Sequence, residues 1–480
     1  TGGDNTFIGN TAGYSNTEGF GLVFIGDGAG YSNTTGDGNT FIGSLAGEDN
    51  TTGNANTGIG SQVTPSDITN ALTTDLGTNS YVMNGEGALN RLSTGTGNTA
   101  LGAAAGVETN TGDFNTFIGT GSGQYTEYAS YNTFVGAFAG WDNNRSNSTT
   151  AANGNTYVGF GAGATNRSGE YNTGIGFQAA FTSQSGSERN VFLGAEITLD
   201  GSDMIVVGHS ADGLADNVVL IGADAQGNGT NSIGIGHAVN LAAAADHVVA
   251  IGQEVEVTQD SAVAIGAYSR ATAANSIAFG TAASATGDNA IALGYAAQAS
   301  NNDEVVVGNS VMTTIGGTVN WTATSDGRFK SHLQEDVQGL DFITRLRPVV
   351  YQLDAKRLFL RQHPVLPQDL KQAFAKKAQQ RYSGFIAQEV EQAAQATGYN
   401  FSGIDAPQSE QDIYGLRYAE FVVPLTKAVQ ELSVESEQLA AENKALKARI
   451  QQLQQRQKRL VELEKRLQLL ELEDTQVIRE

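Results

Sequence analysis

The residues whose types could do chemistry are sparse in the first two-thirds of the chain. Three histidines, His209, His237 and His247, are scattered, and none has a partner at the spacing of a metal site. Gly-Asp segments do not recur every nine residues, as calcium-binding Gly-Asp nonapeptides do. The chain has 0 Cys, so it offers neither thiolate ligands nor disulfides. These observations predict no metal site and no cofactor.

Aromatic and hydroxyl side chains are the second candidate chemistry. Trp141, Tyr125, Tyr128 and Tyr131 lie in or near a segment that reads as a loop, where rings either stack on sugars or pack locally. Threonines that recur in Asn-Thr pairs could bind ice or glycan, or they could form side-chain ladders and turn hydrogen bonds. No convergent pair of carboxylates stands out, which disfavours a glycan-cleaving fibre. The Asn-Thr pairs lie at 5–6, 39–40, 56–57, 98–99, 115–116, 132–133, 155–156 and 172–173.

Charge divides the chain in two. Residues 1–324 contain no Lys and 5 Arg against 28 Asp plus Glu, so the formal net charge of -23 belongs to this part alone. A polyanionic surface repels nucleic acid and anionic lipid, and its simplest role is to keep a β-rich surface soluble. No apolar run reaches the length of a membrane span. The sequence therefore predicts neither a nucleic-acid partner nor membrane insertion by this chain.

A repeated apolar–Gly step organises the first 310 residues. The step recurs every 17 residues from Ile8 to Ile59, from Leu101 to Val135 and from 158 to 175, with inserts at 61–97 and 141–154. After 191 the spacing shortens to 14, as in NSIAFGTAASATGD (275–288). Alternation of apolar with small or polar residues predicts very short strands, and Gly suits turns that need a positive φ. We therefore predict repeat blocks at 1–190 and 191–310, followed by a neck at 311–324.

Each turn of such a solenoid has only about three or four large apolar side chains, so its stability depends on its neighbours. If three chains packed around one axis, each apolar face would make contacts with a sister chain in addition to those within its own chain. This favours a trimeric left-handed parallel β-roll, a mainly β fold, over a monomeric β-helix. The repeats of 275–300 resemble the head repeats of trimeric autotransporter adhesins, and the 17-residue units resemble a longer variant found in bacterial surface and tail-fibre proteins.

From Thr324 the composition changes to Lys-containing, helix-patterned sequence. Residues 341–353 predict an amphipathic helix that stops at Pro348 and an apolar strand, 364–380 predict an inserted helix, and GFIAQEVEQAA (384–394) predicts a strand-like start running into a helix. Leucines spaced seven apart from Leu425 to Leu460 predict a trimeric coiled coil over 425–480. Its second core set, which includes Val429, is only half apolar.

Three motifs in this region resemble the endosialidase-type intramolecular chaperone domain of phage tailspikes and fibres. They are S-D-x-R-x-K at 325–330, LRPVVY at 346–351 and GFIAQEVE at 384–391. The resemblance implies an α+β chaperone core at 325–424 that assembles as a trimer, drives trimerisation of the upstream fibre and then cuts itself free. It also implies that Ser325 and Lys330 form a catalytic Ser–Lys dyad, with cleavage between Thr324 and Ser325.

The spacing of that dyad makes a structural demand. Residues five apart lie about 140° apart on a helix and on opposite faces of a strand, so a turn at Gly327 must bring Ser325 and Lys330 together. Lys330 must also leave water to lose its proton near neutral pH. Asp326 and Arg328 would shape the turn or cross-link subunits. Taken alone, SDGRFK also fits a loop that leads into a helix.

Gln388 and Glu389 match the chaperone pattern as supporting residues without an assigned role. The sequence as a whole predicts a homotrimeric extracellular fibre or adhesin, at a bacterial surface or on a virion or tail fibre, whose only catalysis is self-cleavage. A cell-surface glycan or a protein receptor is the candidate external partner. The alternatives are a tailspike-like glycan depolymerase and a purely structural or ice-binding spacer with the same chaperone.

Overall fold

The computed structural model describes residues 2–61, 87–145, 151–180, 186–242, 245–363, 366, 370–407 and 412–477. It divides into two compact units, Thr1–Met312 and Thr313–Glu480. The first is a long β-solenoid, which confirms the mainly β fold predicted for this part. Most of the predicted insert at 61–97, and residues 146–150 of the insert at 141–154, lie outside the described residues.

One parallel sheet runs through the whole solenoid, with one three-residue strand from each of its turns stacked in register on the next. The strands of this sheet and of a second sheet, described below, are numbered together in chain order. The 18 strands of the first sheet are β1 (Thr6–Ile8), β2 (Val23–Ile25), β3 (Thr40–Ile42), β4 (Thr57–Ile59), β5 (Thr99–Leu101), β6 (Thr116–Ile118), β7 (Thr133–Val135), β8 (Thr156–Val158), β9 (Thr173–Ile175), β10 (Val191–Leu193), β12 (Ile205–Val207), β14 (Val219–Ile221), β16 (Ile233–Ile235), β18 (Val249–Ile251), β20 (Val263–Ile265), β22 (Ile277–Phe279), β24 (Ile291–Leu293) and β26 (Val305–Val307).

In the described residues, a second parallel sheet accompanies the shorter turns. Its 8 strands have two residues each: β11 (Thr198–Leu199), β13 (Asp212–Gly213), β15 (Gln226–Gly227), β17 (Asn240–Leu241), β19 (Glu256–Val257), β21 (Arg270–Ala271), β23 (Ser284–Ala285) and β25 (Gln298–Ala299). The 17-residue turns therefore have one strand per turn, and the 14-residue turns have two.

The middle residue of each first-sheet strand points into the solenoid and sets the width of its interior. In the 17-residue turns this residue is often aromatic, and Phe24 and Phe41 are fully buried with ring centroids 5.3 Å apart. In the 14-residue turns it is usually small, as at Ala264 and Ala278, because the second sheet lies opposite. Wide turns are filled by a stack of rings and narrow turns by small aliphatic side chains.

A ladder of buried Asn side chains precedes the strands of the 17-residue turns. Asn56 Nδ2 donates to Asn39 Oδ1 of the previous turn at 3.1 Å and to the Gly95 carbonyl of the next at 2.9 Å. This confirms the predicted Asn ladder, whereas the Thr after each Asn begins the strand and faces outward. A Gly column follows the same strands: a Cβ on Gly119, at φ 131°, would lie 2.5 Å from the Gly136 carbonyl oxygen. Only Gly permits turns to approach this closely.

The second unit is α+β and ends in one long helix, as predicted. Two pairs of short antiparallel strands are present, Val349–Gln352 with Arg381–Gly384 and Ile404–Asp405 with Gly415–Leu416. In chain order the elements are a 3₁₀ turn (Gly327–Phe329), a helix (Leu340–Arg345), β27 (Val349–Gln352), helices Ala355–Gln362 and Lys371–Lys377, β28 (Arg381–Gly384), a helix (Ala387–Ala396), β29 (Ile404–Asp405), β30 (Gly415–Leu416), a 3₁₀ turn (Tyr418–Phe421) and the C-terminal helix (Val422–Val477).

A small aromatic core holds this unit together. Phe342, Val390, Phe401 and Phe421 are all at most 6% exposed and pack in one cluster. The C-terminal helix closes one side of it, because Glu431 Oε2 accepts a hydrogen bond of 2.6 Å from the Leu340 amide and so caps the short Leu340–Arg345 helix. None of the helices in the described ranges is long and apolar enough to cross a membrane.

Candidate functional site

A tight turn brings the predicted nucleophile and base together. The Asp326 carboxylate accepts a hydrogen bond from the Arg328 amide at 2.9 Å, and the Lys330 amide donates to the Gly327 carbonyl at 3.2 Å. The resulting 3₁₀ turn returns the chain on itself. Lys330 Nζ thereby lies 2.8 Å from Ser325 Oγ, within hydrogen-bond distance.

Asp326 and Arg328 shape that turn within the chain. Besides capping the turn, Asp326 binds the guanidinium of Arg328 through both carboxylate oxygens, at distances that include 2.9 and 2.5 Å. These hydrogen bonds lower the pKa of Asp326 and raise the pKa of Arg328. The Asp326 carboxylate is thus engaged by Arg328 in the described chain.

Water surrounds this arrangement in the single chain. Ser325 and Lys330 are both exposed, and so are the apolar residues beside them. Phe329 is 80%, Leu333 81% and Trp321 91% exposed. An exposed apolar segment next to a candidate nucleophile is a surface that another chain could cover.

Glu389 has a partner that the sequence did not identify. It lies in the first turn of the Ala387–Ala396 helix and forms an ion pair with Arg347, whose Nε lies 3.1 Å from Glu389 Oε2. Hydrogen bonding from Arg347 lowers the pKa of Glu389. The pair joins the GFIAQEVE motif to the LRPVVY motif. Gln388 is exposed beside it.

The histidines of the solenoid are exposed, and two of them lie beside single carboxylates. His209 Nε2 lies 3.6 Å from Glu196, and His237 Nε2 lies 3.3 Å from Asp224. No group of three or more potential metal-ligating His, Cys, Asp or Glu residues is present in the part of the chain that the structure describes.

The aromatic residues near the second insert separate into two kinds. Trp141 is only 8% exposed and donates from Nε1 to Gln124 at 3.0 Å, and the Arg145 guanidinium lies over the rings of Tyr125 and Trp141 at 3.9 and 4.6 Å. These rings pack locally, and Tyr128 is half-buried. Tyr131 differs, because it is 65% exposed.

Two further apolar surfaces lie open. Along the solenoid, the third residue of every first-sheet strand is aliphatic or Phe and faces outward. Residues of this column that are at least 36% exposed are Ile8, Leu101, Ile118, Ile175, Leu193, Ile221, Phe279, Leu293 and Val307. Along the C-terminal helix, the heptad residues are 45–65% exposed, including Leu439 and Leu446.

Comparison with known proteins bears on the second unit. No curated protein matches the chain. Residues 325–399 match the family model described as the chaperone of endosialidase. The match starts at Ser325 and contains Lys330, Arg347 and Glu389. The chain is therefore a long β-solenoid followed by a region similar to the chaperone of endosialidase.

Proposed function

We propose that this chain is a homotrimeric fibre whose region from Ser325 onward is an intramolecular chaperone, which drives trimerisation and then self-cleaves between Thr324 and Ser325. The observation that carries the proposal is the 2.8 Å contact between Lys330 Nζ and Ser325 Oγ at the first residue of the chaperone match. A hydroxyl beside an amine is the arrangement that nucleophilic catalysis requires.

The chemistry of the cut follows from these two side chains. The neutral amine of Lys330 takes the proton of the Ser325 hydroxyl, and Oγ attacks the carbonyl carbon of Thr324. The bond from that carbon to the Ser325 nitrogen breaks, and the nitrogen takes up the proton, which leaves an ester between Thr324 and Oγ. Water hydrolyses the ester and leaves a carboxylate on Thr324 and a free amine on Ser325.

Exposure of the dyad argues that the cut waits for assembly. Water stabilises the charged form of an amine, and an ammonium cannot accept the proton of a serine hydroxyl. A sister chain packed on Phe329 and Leu333 would exclude water and favour the neutral amine. Cleavage would then occur only after the exposed apolar side chains around the dyad are covered in the complete trimer.

Two separate surfaces support the trimer. The heptad leucines of the C-terminal helix, such as Leu439 and Leu446, are more than half exposed, which is the pattern of a coiled-coil seam without its partner. The outward aliphatic column of the solenoid is a second continuous apolar surface. Burying both against sister chains accounts for the apolar residues that a lone chain leaves in water.

We place the trimer outside the cell, as an adhesin or tail fibre at a bacterial surface or on a virion. The polyanionic solenoid, with a formal net charge of -23, resists lateral aggregation of its strands and suits an extended fibre.

Self-cleavage is tested on a denaturing gel with the purified full chain. We expect the wild type to give two fragments of about two-thirds and one-third of the chain, with Ser325 as the new amino terminus. Ser325→Ala and Lys330→Met should stay full length while keeping the native mass of a trimer. A fragment with the same new terminus in Ser325→Ala would refute the dyad.

The link between assembly and cleavage is tested by a matched pair of variants on the C-terminal helix. Leu446→Asp places a charge in the heptad seam and should lower both the trimer fraction and the cleaved fraction at least tenfold. Ala441→Asp adds the same charge away from the seam and should change neither. A monomeric Leu446→Asp chain that cleaves at the wild-type rate would contradict the assembly requirement.

A further inference from the structure

More than one position in the turns of the solenoid has a left-handed backbone, and one of these positions precedes every first-sheet strand. It is the residue two places before each first-sheet strand, and its φ lies between 53 and 70° before all 18 of these strands in the described residues. We call this set of positions the left-handed row. Most of its members are Gly, Asn, Asp or another polar residue: Asp4, Gly21, Gly38, Gly97, Gly154, Arg189, Asp203, Asn217, Asn231, His247, Ser261, Asn275, Asn289 and Asp303; one further member is Ala55.

The other three members of this row are aromatic. Phe114, Tyr131 and Tyr171 have φ values of 56, 63 and 59°. Bulky side chains are disfavoured in this conformation, whereas Gly, Asn and Asp adopt it readily. The rings do not recover this cost by burial, since they are 55, 65 and 61% exposed. A costly residue that adds little to the interior points to a function outside the fold.

The rings form an ordered platform. Phe114 and Tyr131 stack in parallel, with centroids 5.6 Å apart and an interplanar angle of 14°. The Tyr171 ring lies against Gly154, where an added Cβ would be 2.8 Å from it, and the Phe114 ring lies in the same way against Gly97 at 2.6 Å. Because these two glycines have no side chain, the rings of Tyr171 and Phe114 can lie against the edge of the neighbouring turn.

Inter-turn hydrogen bonds fix this platform in advance of any ligand. The Tyr131 amide donates to the Asp113 carbonyl at 2.9 Å, and the Tyr171 amide donates to the Asn153 carbonyl at 3.0 Å. The backbone beneath each ring is therefore held by the neighbouring turn. Aromatic side chains on a rigid backbone bind with little loss of conformational entropy.

Polar groups border the platform on both sides. Two residues after each ring a Thr begins the strand, as at Thr133 and Thr173, and these side chains are at least partly exposed. On the other side run Ser130, Asn153 and Glu170, with Asn153 Nδ2 donating to Glu170 at 3.1 Å. Flat rings beside hydroxyl, amide and carboxylate groups match the C–H faces and hydroxyls of a sugar chain.

We propose that Phe114, Tyr131 and Tyr171 form a binding site for a neutral polysaccharide that lies along the solenoid. Rings repeated along the stacking direction suit a linear ligand made of repeated pyranose units. The acidic surface, with a formal net charge of -23, repels sulfated, sialylated and phosphorylated glycans. This inference rests on the proposed function, since it supplies the ligand of the extracellular fibre.

A sister chain is a less suitable occupant of this edge. The left-handed row is polar or Gly in most turns, which is the composition of a hydrated edge, whereas the outward aliphatic column is apolar throughout. The proposed subunit contact therefore belongs to the column. The three rings interrupt the polar row in one short region between Gly97 and Arg189.

The test uses the purified trimer, expressed from the whole sequence, on an array of neutral, sulfated and sialylated polysaccharides, followed by titration calorimetry with the best neutral glycan. The variant Phe114→Asn/Tyr131→Asn/Tyr171→Asn installs the residue that other turns use in this row. We expect at least a tenfold loss of affinity, with a midpoint of thermal unfolding equal to or above that of the wild type. The stacked pair on another edge, changed as Tyr14→Asn/Tyr31→Asn, should keep wild-type affinity.

Four outcomes of the binding measurements would overturn this inference. They are a wild-type trimer that binds no neutral glycan, binding confined to sulfated or sialylated glycans, a triple variant within twofold of wild-type affinity, and equal loss in the Tyr14/Tyr31 pair. A triple variant that dissociates to monomers would make the row a subunit contact instead and would also overturn it. Native mass and self-cleavage are recorded on the same samples, so failure of the fibre proposal itself is seen separately.

Discussion

Removal of the Tyr157 hydroxyl should change how the solenoid responds to alkali. Tyr157 is 1% exposed, stacks on Phe134 at a centroid distance of 5.2 Å and packs against the tilted ring of Phe192 at 6.0 Å. Burial raises the pKa of its hydroxyl well above the usual value, although hydrogen bonds from Asn172 and Asn166 oppose the shift. Tyr157→Phe keeps the ring in the stack and removes the ionisable group.

The direction and size of the effect follow from proton linkage. Below pH 10 the hydroxyl is protonated in both states and contributes no pH dependence. Above pH 10 the unfolded chain loses this proton and the folded chain keeps it, so stability falls until the pH reaches the raised folded pKa. At pH 11, one unit above the usual tyrosine pKa of about 10, the loss is about 1.4 kcal/mol.

The assay is urea unfolding of the full chain at pH 8 and pH 11, monitored by circular dichroism. The variant loses the hydrogen bonds of the hydroxyl and should be less stable by about 1 kcal/mol at pH 8. Between pH 8 and pH 11 its stability relative to wild type should rise by about 1.4 kcal/mol. Tyr268→Phe, on an exposed ring, controls for the loss of a hydroxyl. A relative change below about 0.5 kcal/mol would refute the reasoning, because a solvated hydroxyl would not couple to unfolding.

Two further substitutions test the solenoid and the chaperone core. Gly119→Ala should lower the free energy of unfolding by more than about 2 kcal/mol, because the added Cβ would meet the Gly136 carbonyl. Gly3→Ala is the control and should be neutral, because no atom lies within 4 Å of its added Cβ. Thermal unfolding of both variants checks this. Arg347 depresses the pKa of Glu389, so the stability from this pair is present above about pH 4.5 and is lost as the pH falls through the depressed pKa. Glu389→Gln should therefore make the midpoint of thermal unfolding less dependent on pH in acid. An unchanged acid dependence would exclude the pair as its source.

Much of the solenoid was predictable because each turn repeats one local rule. An aliphatic residue followed by Gly at a fixed spacing specifies a short strand and a close approach between turns, and neighbouring turns supply the rest of the packing. The turn at Gly327 was also accessible, since residues five apart can meet only where the chain bends. Whether the chain cleaves there remains a prediction.

Other features depend on contacts that no local pattern reveals. The cap that Glu431 provides to Leu340 joins residues 91 positions apart, and a Glu on a heptad-patterned helix gives no sign of it. Trp141 and Tyr131 are both aromatic residues near one insert, yet one is buried by Gln124 and Arg145 and the other is exposed. The two rings differ in burial because they occupy different positions in the turn. Those positions can be assigned only when the register of the strands is known.

The hydrogen bonds between turns run along the stacking direction, as between the Thr57 amide and the Asn98 carbonyl at 2.7 Å. A pulling force along that direction loads the junctions between turns in series, so the weakest junction opens first. Each opening releases one turn of chain, about 58 Å for 17 residues and about 48 Å for 14. A solenoid under tension would thus lengthen in steps of two sizes and absorb mechanical work turn by turn.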